Sequence, residues 1–313
     1  MEAGNFKDAL SLLEKALKMN KQVQGDEHPS NGAILTAMGH VHLRQKDFES
    51  AVALLFQAWE LAQAGFGDNS EPVADALLEL AQAHLKKKDF AKAVEFQGKA
   101  LSLLQGLEGT DPDKVAGAAI ALSEWLEKAE QVDGALQALK TAEQIYEYNY
   151  SVVDKRTCKV KRNVALLYLK ANRYDQALEE LREVEELERT LYGEGSVQLG
   201  KTFKVIGTLF IINNNPGDAR DYLMRAHGIF EAKGLLRLLK EVKAKLKMLS
   251  SSSKLAAELV NVDGESGDDS GKEASPERKS SKVRAAKTKK GKSKKTVFRN
   301  NFIKEHDSNG LPQ

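Results

Sequence analysis

The stretch Lys87–Leu101, KKDFAKAVEFQGKAL, is written almost twice. QKDFESAVALLFQAW occupies Gln45–Trp59, 42 residues earlier. Stepping by 42 from Phe90 in both directions gives Phe6, Phe48, Phe90, Val132, Tyr174 and Pro216. Three residues further on stand Ala9, Ala51, Ala93, Ala135, Ala177 and Ala219. At the next helical offset come Leu13, Leu55, Gln97, Leu139, Leu181 and Leu223, and then Ala16, Ala58, Ala100, Ala142, Val184 and Ala226. Positions 0, 4 and 7 of such a run share one face of an α-helix. Alanine at a fixed point lets two helices approach closely. A period of this kind is the signature of a stacked array of like units.

A second helix precedes each of these. Twelve residues before the alanine is a small residue, in order Gly39, Ala81, Ser123, Ala165 and Gly207, flanked by Met38, Leu80, Leu122, Val164 and Ile206. Polar turns separate the two helices: RQKD at Arg44–Asp47, KKKD at Lys86–Asp89, ANR at Ala171–Arg173 and INNNPGD at Ile212–Asp218. Pro216 suits the first turn of a helix, where its missing N–H costs little. Each unit therefore reads as helix A, turn, helix B. Helix B should stop at Gly25, Gly67, Gly109, Ser151 or Gly193, in a left-handed conformation at the glycines. The linkers GDEHPS, GDNSEP and GTDPDK offer Asp or Ser to cap the next helix A.

These columns resemble the tetratricopeptide repeat (TPR) over about Asn5 to Lys233. That family's unit has roughly 34 residues. The 42-residue period and the long linkers are similar to the longer-helix subclass typified by kinesin light chains. The resemblance implies an all-α fold, a right-handed superhelical solenoid whose A helices line a concave, partner-binding side. It also implies a motor-adaptor, cytoskeletal or ciliary setting. Kinesin light chains carry paired asparagines in helix A; the matching places here are Thr36-Ala37, Leu78-Glu79, Ile120-Ala121, Arg162-Asn163 and Lys204-Val205. Asn163 is the one match, so that cargo contact does not carry over.

Residues 1–249 are thus expected to form the solenoid. It would comprise an N-terminal half repeat, Phe6–Val23, five full repeats and a capping helix over Leu235–Leu249. The half repeat leaves Leu10, Leu13 and Leu17 short of a partner, which suggests that the chain is a shorter product of a longer protein, or that a partner or a second copy covers that end. Residues 250–313 read as a disordered tail, rich in Ser, Gly and Lys, with 14 Lys and Arg against 9 Asp and Glu. Within it Arg278–Lys295 holds ten basic residues and no acid. That run gives the alternative reading, a nuclear or nucleic-acid-associated adaptor acting through the tail. No aromatic residue interleaves its lysines for base stacking, which argues against a specific nucleic-acid role.

No phosphate loop, metal-ligand spacing or nucleophile elbow is present. No catalytic residue, metal or cofactor is expected, and the chain reads as a non-catalytic scaffold. His42 and His84 occupy equivalent positions and read as packing residues. Cys158 is the single cysteine and reads as a buried helix residue. The N-terminus lacks the basic-then-apolar pattern of a signal peptide, and no apolar run reaches roughly 20 residues. The expectation is a cytoplasmic protein.

On the A-helix side, the later repeats present Lys159, Arg162, Asn163, Lys170, Lys201 and Lys204, while earlier ones offer Asp75, Glu79, Gln82 and Glu124. That polarity predicts a groove that takes a partner peptide with its acidic part toward the later repeats.

Overall fold

In the computed structural model, residues 4–262 are described, with side chains from Phe6 to Ser250. Among them twelve α-helices follow one another: α1 Gly4–Gln24, α2 Ser30–Gln45, α3 Phe48–Phe66, α4 Glu71–Lys87, α5 Phe90–Gly106, α6 Pro112–Lys128, α7 Val132–Asn149, α8 Lys155–Lys170, α9 Tyr174–Tyr192, α10 Val197–Ile212, α11 Pro216–Ala232 and α12 Leu236–Val262. No strand occurs among the described residues. The fold is an all-α array of helix-turn-helix repeats in which sequence neighbours pack together, as α2 on α3, α4 on α5, α6 on α7 and α10 on α11. The chain divides into two compact units between Leu187 and Glu188, within α9.

The columns of the sequence are the contacts of the fold. Ala51, Ala93 and Ala135 are fully buried in the first unit, as is Ala177 at the start of α9. In the second unit Ala219, Leu223 and Ala226 are fully buried on α11. The small residue of helix A sits where helix B leaves no space. A Cβ added to Gly39 would lie 2.9 Å from Leu55 Cγ, and one added to Gly207 would lie 2.8 Å from Leu223 Cγ and 3.1 Å from the Ala219 carbonyl oxygen. Such spacing fixes the crossing of the two helices more firmly than any polar contact between them.

The turns differ from the expectation in an informative way. The left-handed residue lies in the A-to-B turn, again with the 42-residue period: Lys46, Lys88, Glu130, Asn172 and Asn214 have φ between 59° and 67°. Around Lys46 the next amide, of Asp47, donates to the His42 carbonyl, and around Lys88 that of Asp89 donates to the His84 carbonyl. Three B helices, α3, α5 and α11, then begin under a side-chain cap, whereas Gln131 gives α7 none. Asp47 accepts from the Ser50 amide, Asp89 from Lys92 and Asn215 from Asp218. At the end of helix B, Gly25, Gly67, Gly109 and Gly193 take positive φ as expected, and Ser151 does not.

Capping of helix A is less uniform than the linkers suggested. Asp111 accepts from the Asp113 amide as expected, and Asp154 and Ser196 cap α8 and α10. Pro29 and Ser70 make no side-chain cap. The Ser70 hydroxyl instead donates to the Gly67 carbonyl, and the buried Asn31 amide ties down the first linker by donating to the carbonyls of Gly25 and Asp26.

At the N-terminal end, α1 leaves Ala9, Leu10 and Leu13 partly buried and Ala16 exposed, with Leu12, Met19 and Val23 largely in solvent. The capping helix α12 runs through Ser250 to Val262, beyond the expected boundary at Leu249. The rest of the expected tail, with its basic run, lies outside the described residues.

Candidate peptide-binding face

The A helices of the first unit each present a stripe of exposed and half-buried residues, in which the columns Ala33, Asp75, Gly117, Lys159 and Arg44, Lys86, Lys128, Lys170 repeat at 42 residues. On α2 it holds Ala33, Thr36, His40 and Arg44; on α4, Asp75, Glu79, Gln82 and Lys86; on α6, Gly117, Ile120, Glu124 and Lys128; on α8, Lys159, Arg162, Asn163 and Lys170. The opposite face of each A helix carries the buried residues, for instance Val73, Ala74, Leu77, Leu80 and Ala81 on α4. Within this unit Asp75 and Glu79 lie on α4, and Lys159, Arg162 and Lys170 on α8.

Much of that charge is already paired between neighbouring repeats. Glu79 lies 2.7 Å from His40 Nε2, and Lys114 Nζ reaches Glu71 at 2.6 Å and Asp75 at 2.5 Å. Lys170 Nζ reaches Glu127 at 2.6 Å. Farther along, Arg173 meets Asp133 and Arg156 meets Asp113. An acid and a base roughly one period apart recur, 39 residues for His40–Glu79 and 43 for both Glu71–Lys114 and Glu127–Lys170. These pairs join consecutive repeats and are worth little individually where exposed.

Of the six residues expected to line the groove, the first unit brings four together on α8: Lys159, Arg162, Asn163 and Lys170. Lys159 is exposed and makes no ion pair among the described residues, whereas Lys170 is engaged by Glu127. The other two lie on α10 in the second unit. Lys201 is exposed. Lys204 is 4% exposed and donates to Glu241 of α12 at 2.7 Å, so it is a buried structural cation rather than a groove residue. The sequence signal was present but distant: Glu241 lies 37 residues on, inside the helix read as a basic cap.

Between stripe and core on α8 sits a group the sequence reading missed. Lys161 is buried, and its ammonium donates to Glu143 of α7 and, at 3.0 Å, to Glu183 of α9, with Glu147 at 3.5 Å. Burial opposes its charge, but the hydrogen bonds to Glu143 and Glu183 overcome this and hold it protonated well above the usual lysine range. Nearby Glu180 is pushed up by burial and by the neighbouring Glu143 carboxylate. The cluster locks α8 against both flanking B helices and thereby fixes the direction in which the α8 stripe points.

His42 and His84 share one device. His42 Nδ1 lies 3.0 Å from Asp47, and His84 Nδ1 lies 3.3 Å from Asp89. The buried His84 Nδ1 has no hydrogen-bond partner, and its contact with Asp89 is an ion pair only when the ring is protonated. His84 is buried and stacks on Phe96 at 5.4 Å, and burial lowers its pKa. Cys158 is buried, and burial pushes its thiol up. No cluster of three or more His, Cys, Asp or Glu suited to a metal occurs among the described residues. None of the described helices is long and apolar enough to cross a membrane. A groove of about 680 Å³ opens between α3, α4 and α5, lined by Val73, Leu77, Trp59 and Leu103.

Tetratricopeptide repeat profiles match residues 1–64 and 74–103. No curated protein matches the sequence significantly. Among solved structures, the nearly identical TPR-like repeats of a kinesin light chain from Podosopora anserina are 17% identical, cover 67% of this chain and 99% of that one, and give a TM-score of 0.54. A point variant of that protein gives 0.52 at 15% identity, covering 66% and 98%. Aspartyl phosphate phosphatase F from Bacillus subtilis is 12% identical, covers 79% of this chain and 65% of that one, and gives 0.51. With the 42-residue columns and the helix pairs in hand, residues 1–64 and 74–103 match the tetratricopeptide repeat, and the fold is similar to that of kinesin-light-chain TPR-like repeats.

Proposed function

We propose that the chain is a non-catalytic scaffold that holds a peptide or short helix of a partner protein on the A-helix stripes of its first unit. The acidic part of that ligand lies against Lys159, Arg162 and Asn163. The observation that carries this reading is the stripe itself: exposed and half-buried side chains on four successive A helices, with Asp75 and Glu79 on α4 and Lys159 and Arg162 on α8, while the opposite faces build the core. Charge arranged in this way sets ligand direction and encounter rate more than affinity. The resemblance to motor-adaptor and ciliary TPR proteins favours a cytoplasmic assembly of the cytoskeleton or cilium, with proteins rather than nucleic acid as partners.

The test is capture from cells by the full chain and by its Lys159→Glu/Arg162→Glu variant, with helicity measured alongside. Loss of partners from a variant that keeps its helicity supports the reading. Undiminished capture removes it. A third chain, with the ten basic residues of Arg278–Lys295 changed to Gln, separates the alternative. If that chain alone loses its partners, and added salt does the same to the native chain, the tail carries the function.

A further inference from the structure

Repeats of one chain serve as controls for one another, and the loop between α7 and α8 departs from the rest. At the two positions that follow the helix-B stop, the other four linkers carry Asp26-Glu27, Asp68-Asn69, Thr110-Asp111 and Glu194-Gly195. This loop carries Val152-Val153, which are 52% and 47% exposed. Beside them at the end of α7 stand Tyr148, 91% exposed, and Tyr150. Single exposed apolar residues are ordinary, but four within six positions, where every sister loop is polar, form a patch.

The loop is held in shape. The Thr157 hydroxyl donates to the Ser151 carbonyl at 2.9 Å, the Val153 amide donates to the Ser151 hydroxyl at 3.1 Å, and Asp154 caps α8. The Arg156 guanidinium lies 4.0 Å from the Tyr150 ring centroid and is paired with Asp113 at 3.1 Å and Asp154 at 3.6 Å. An apolar surface presented on a fixed backbone loses little entropy on binding. Around it Asp111, Asp113 and Asp154 outnumber Arg156 and Lys155 by one, so the rim keeps one net negative charge after Arg156 pairs with Asp113 and Asp154. The wide-open face of Tyr148 is suited to a cation.

We propose that the Tyr148–Val153 loop is a second docking site, distinct from the A-helix stripes, for a segment of a partner protein in which bulky apolar side chains stand next to Arg or Lys. The apolar side chains cover Val152, Val153 and the tyrosine rings. The cation meets the acidic rim or the Tyr148 face. The stated chemistry is opposite in charge to that proposed for α8, so one chain would hold two unlike segments.

The experiment is selection of a displayed random-peptide library on the full chain and, in parallel, on its Val152→Asp/Val153→Glu variant. These exposed positions already hold acids in sister loops, so the variant should keep native helicity. A second variant, Tyr148→Ala, makes a smaller change. The expected result is enrichment of peptides with an apolar residue beside Arg or Lys, which bind the double variant about tenfold more weakly and the Tyr148→Ala chain several-fold more weakly. Their binding should be unchanged by Lys159→Glu/Arg162→Glu, which separates this site from the α8 stripe. Enriched peptides that are acidic, that bind the double variant as well as the native chain, or that are lost with the α8 variant would each overturn the proposal, as would the absence of any loop-dependent peptide.

Discussion

The Gln97 side-chain amide donates to the Ala118 carbonyl at 2.8 Å, with Gln97 only 2% exposed. This joins helix B of one repeat to helix A of the next. Gln97 is the single polar residue in the column Leu13, Leu55, Leu139, Leu181 and Leu223, and the hydrogen bond is why the exception is tolerated. Gln97→Leu is expected to change unfolding free energy by less than about 1 kcal/mol, because the lost bond is offset by apolar burial. Gln97→Glu should cost about 2–4 kcal/mol, since a carboxylate cannot donate to the carbonyl and is buried unpaired. Urea titration of the three chains separates these values.

Glu130 occupies the left-handed turn position that Asn172 and Asn214 hold in later repeats, with φ 61°. A side chain there is strained, and Asn tolerates the conformation better than Glu. Glu130→Asn is expected to raise stability by about 0.5 kcal/mol and Glu130→Gly by up to about 1 kcal/mol. Glu130→Val, with a β-branched side chain, should lower it. Thermal unfolding of the three variants gives the order.

Lys161 and Glu180 titrate in opposite roles. Removing the ammonium by Lys161→Met leaves Glu143, Glu147 and Glu183 facing one another and should cost about 3 kcal/mol. Because the folded lysine pKa is raised above its ordinary 10.5, that contribution is complete below pH 10.5 and is lost only as pH rises past the raised value. Glu180 is also raised, from 4.5, so its ionised form is penalised in the folded state at neutral pH. Glu180→Gln should therefore stabilise the chain at pH 7, and the gain should vanish below pH 4.5, where the native side chain is protonated in both states. Melting temperatures of native and variant chains across pH 4–8 check the sign.

Gly207 is packed against Leu223 and the Ala219 carbonyl, whereas Ala165 holds the equivalent place on α8. Gly207→Ala gains helix propensity but forces α10 and α11 apart, and the overpacking term of about 1–3 kcal/mol should prevail. The reverse change, Ala165→Gly, should lose about 1 kcal/mol. Unfolding free energies that favoured Gly207→Ala would show that α10 and α11 can separate without loss.

The alanine and leucine columns were legible because side-chain volume at a helical offset is a local property that the sequence repeats. The strained turn was not, because Lys46, Lys88 and Glu130 stand where the usual left-handed residue is glycine. The charge of Lys204 on α10 was misread. Lys159 is exposed, as its position suggested, but Lys204 is buried against Glu241, and a partner 37 residues away cannot be seen from the helix alone. The spacing of Lys170 to Glu127, close to one period, was the available clue, since repeats that stack bring such residues together. Tyr148, Val152 and Val153 were written in plain view; comparing that linker column by column with its sisters would have singled them out.

The most direct test of the scaffold reading is the affinity of a captured partner's acidic peptide for the native chain and for Lys159→Glu/Arg162→Glu, measured by calorimetry at two salt concentrations. The account predicts binding weakened at least about tenfold by the double reversal, with native binding weakened as salt rises. Equal affinity for the two chains would contradict it and move the binding surface away from the A helices.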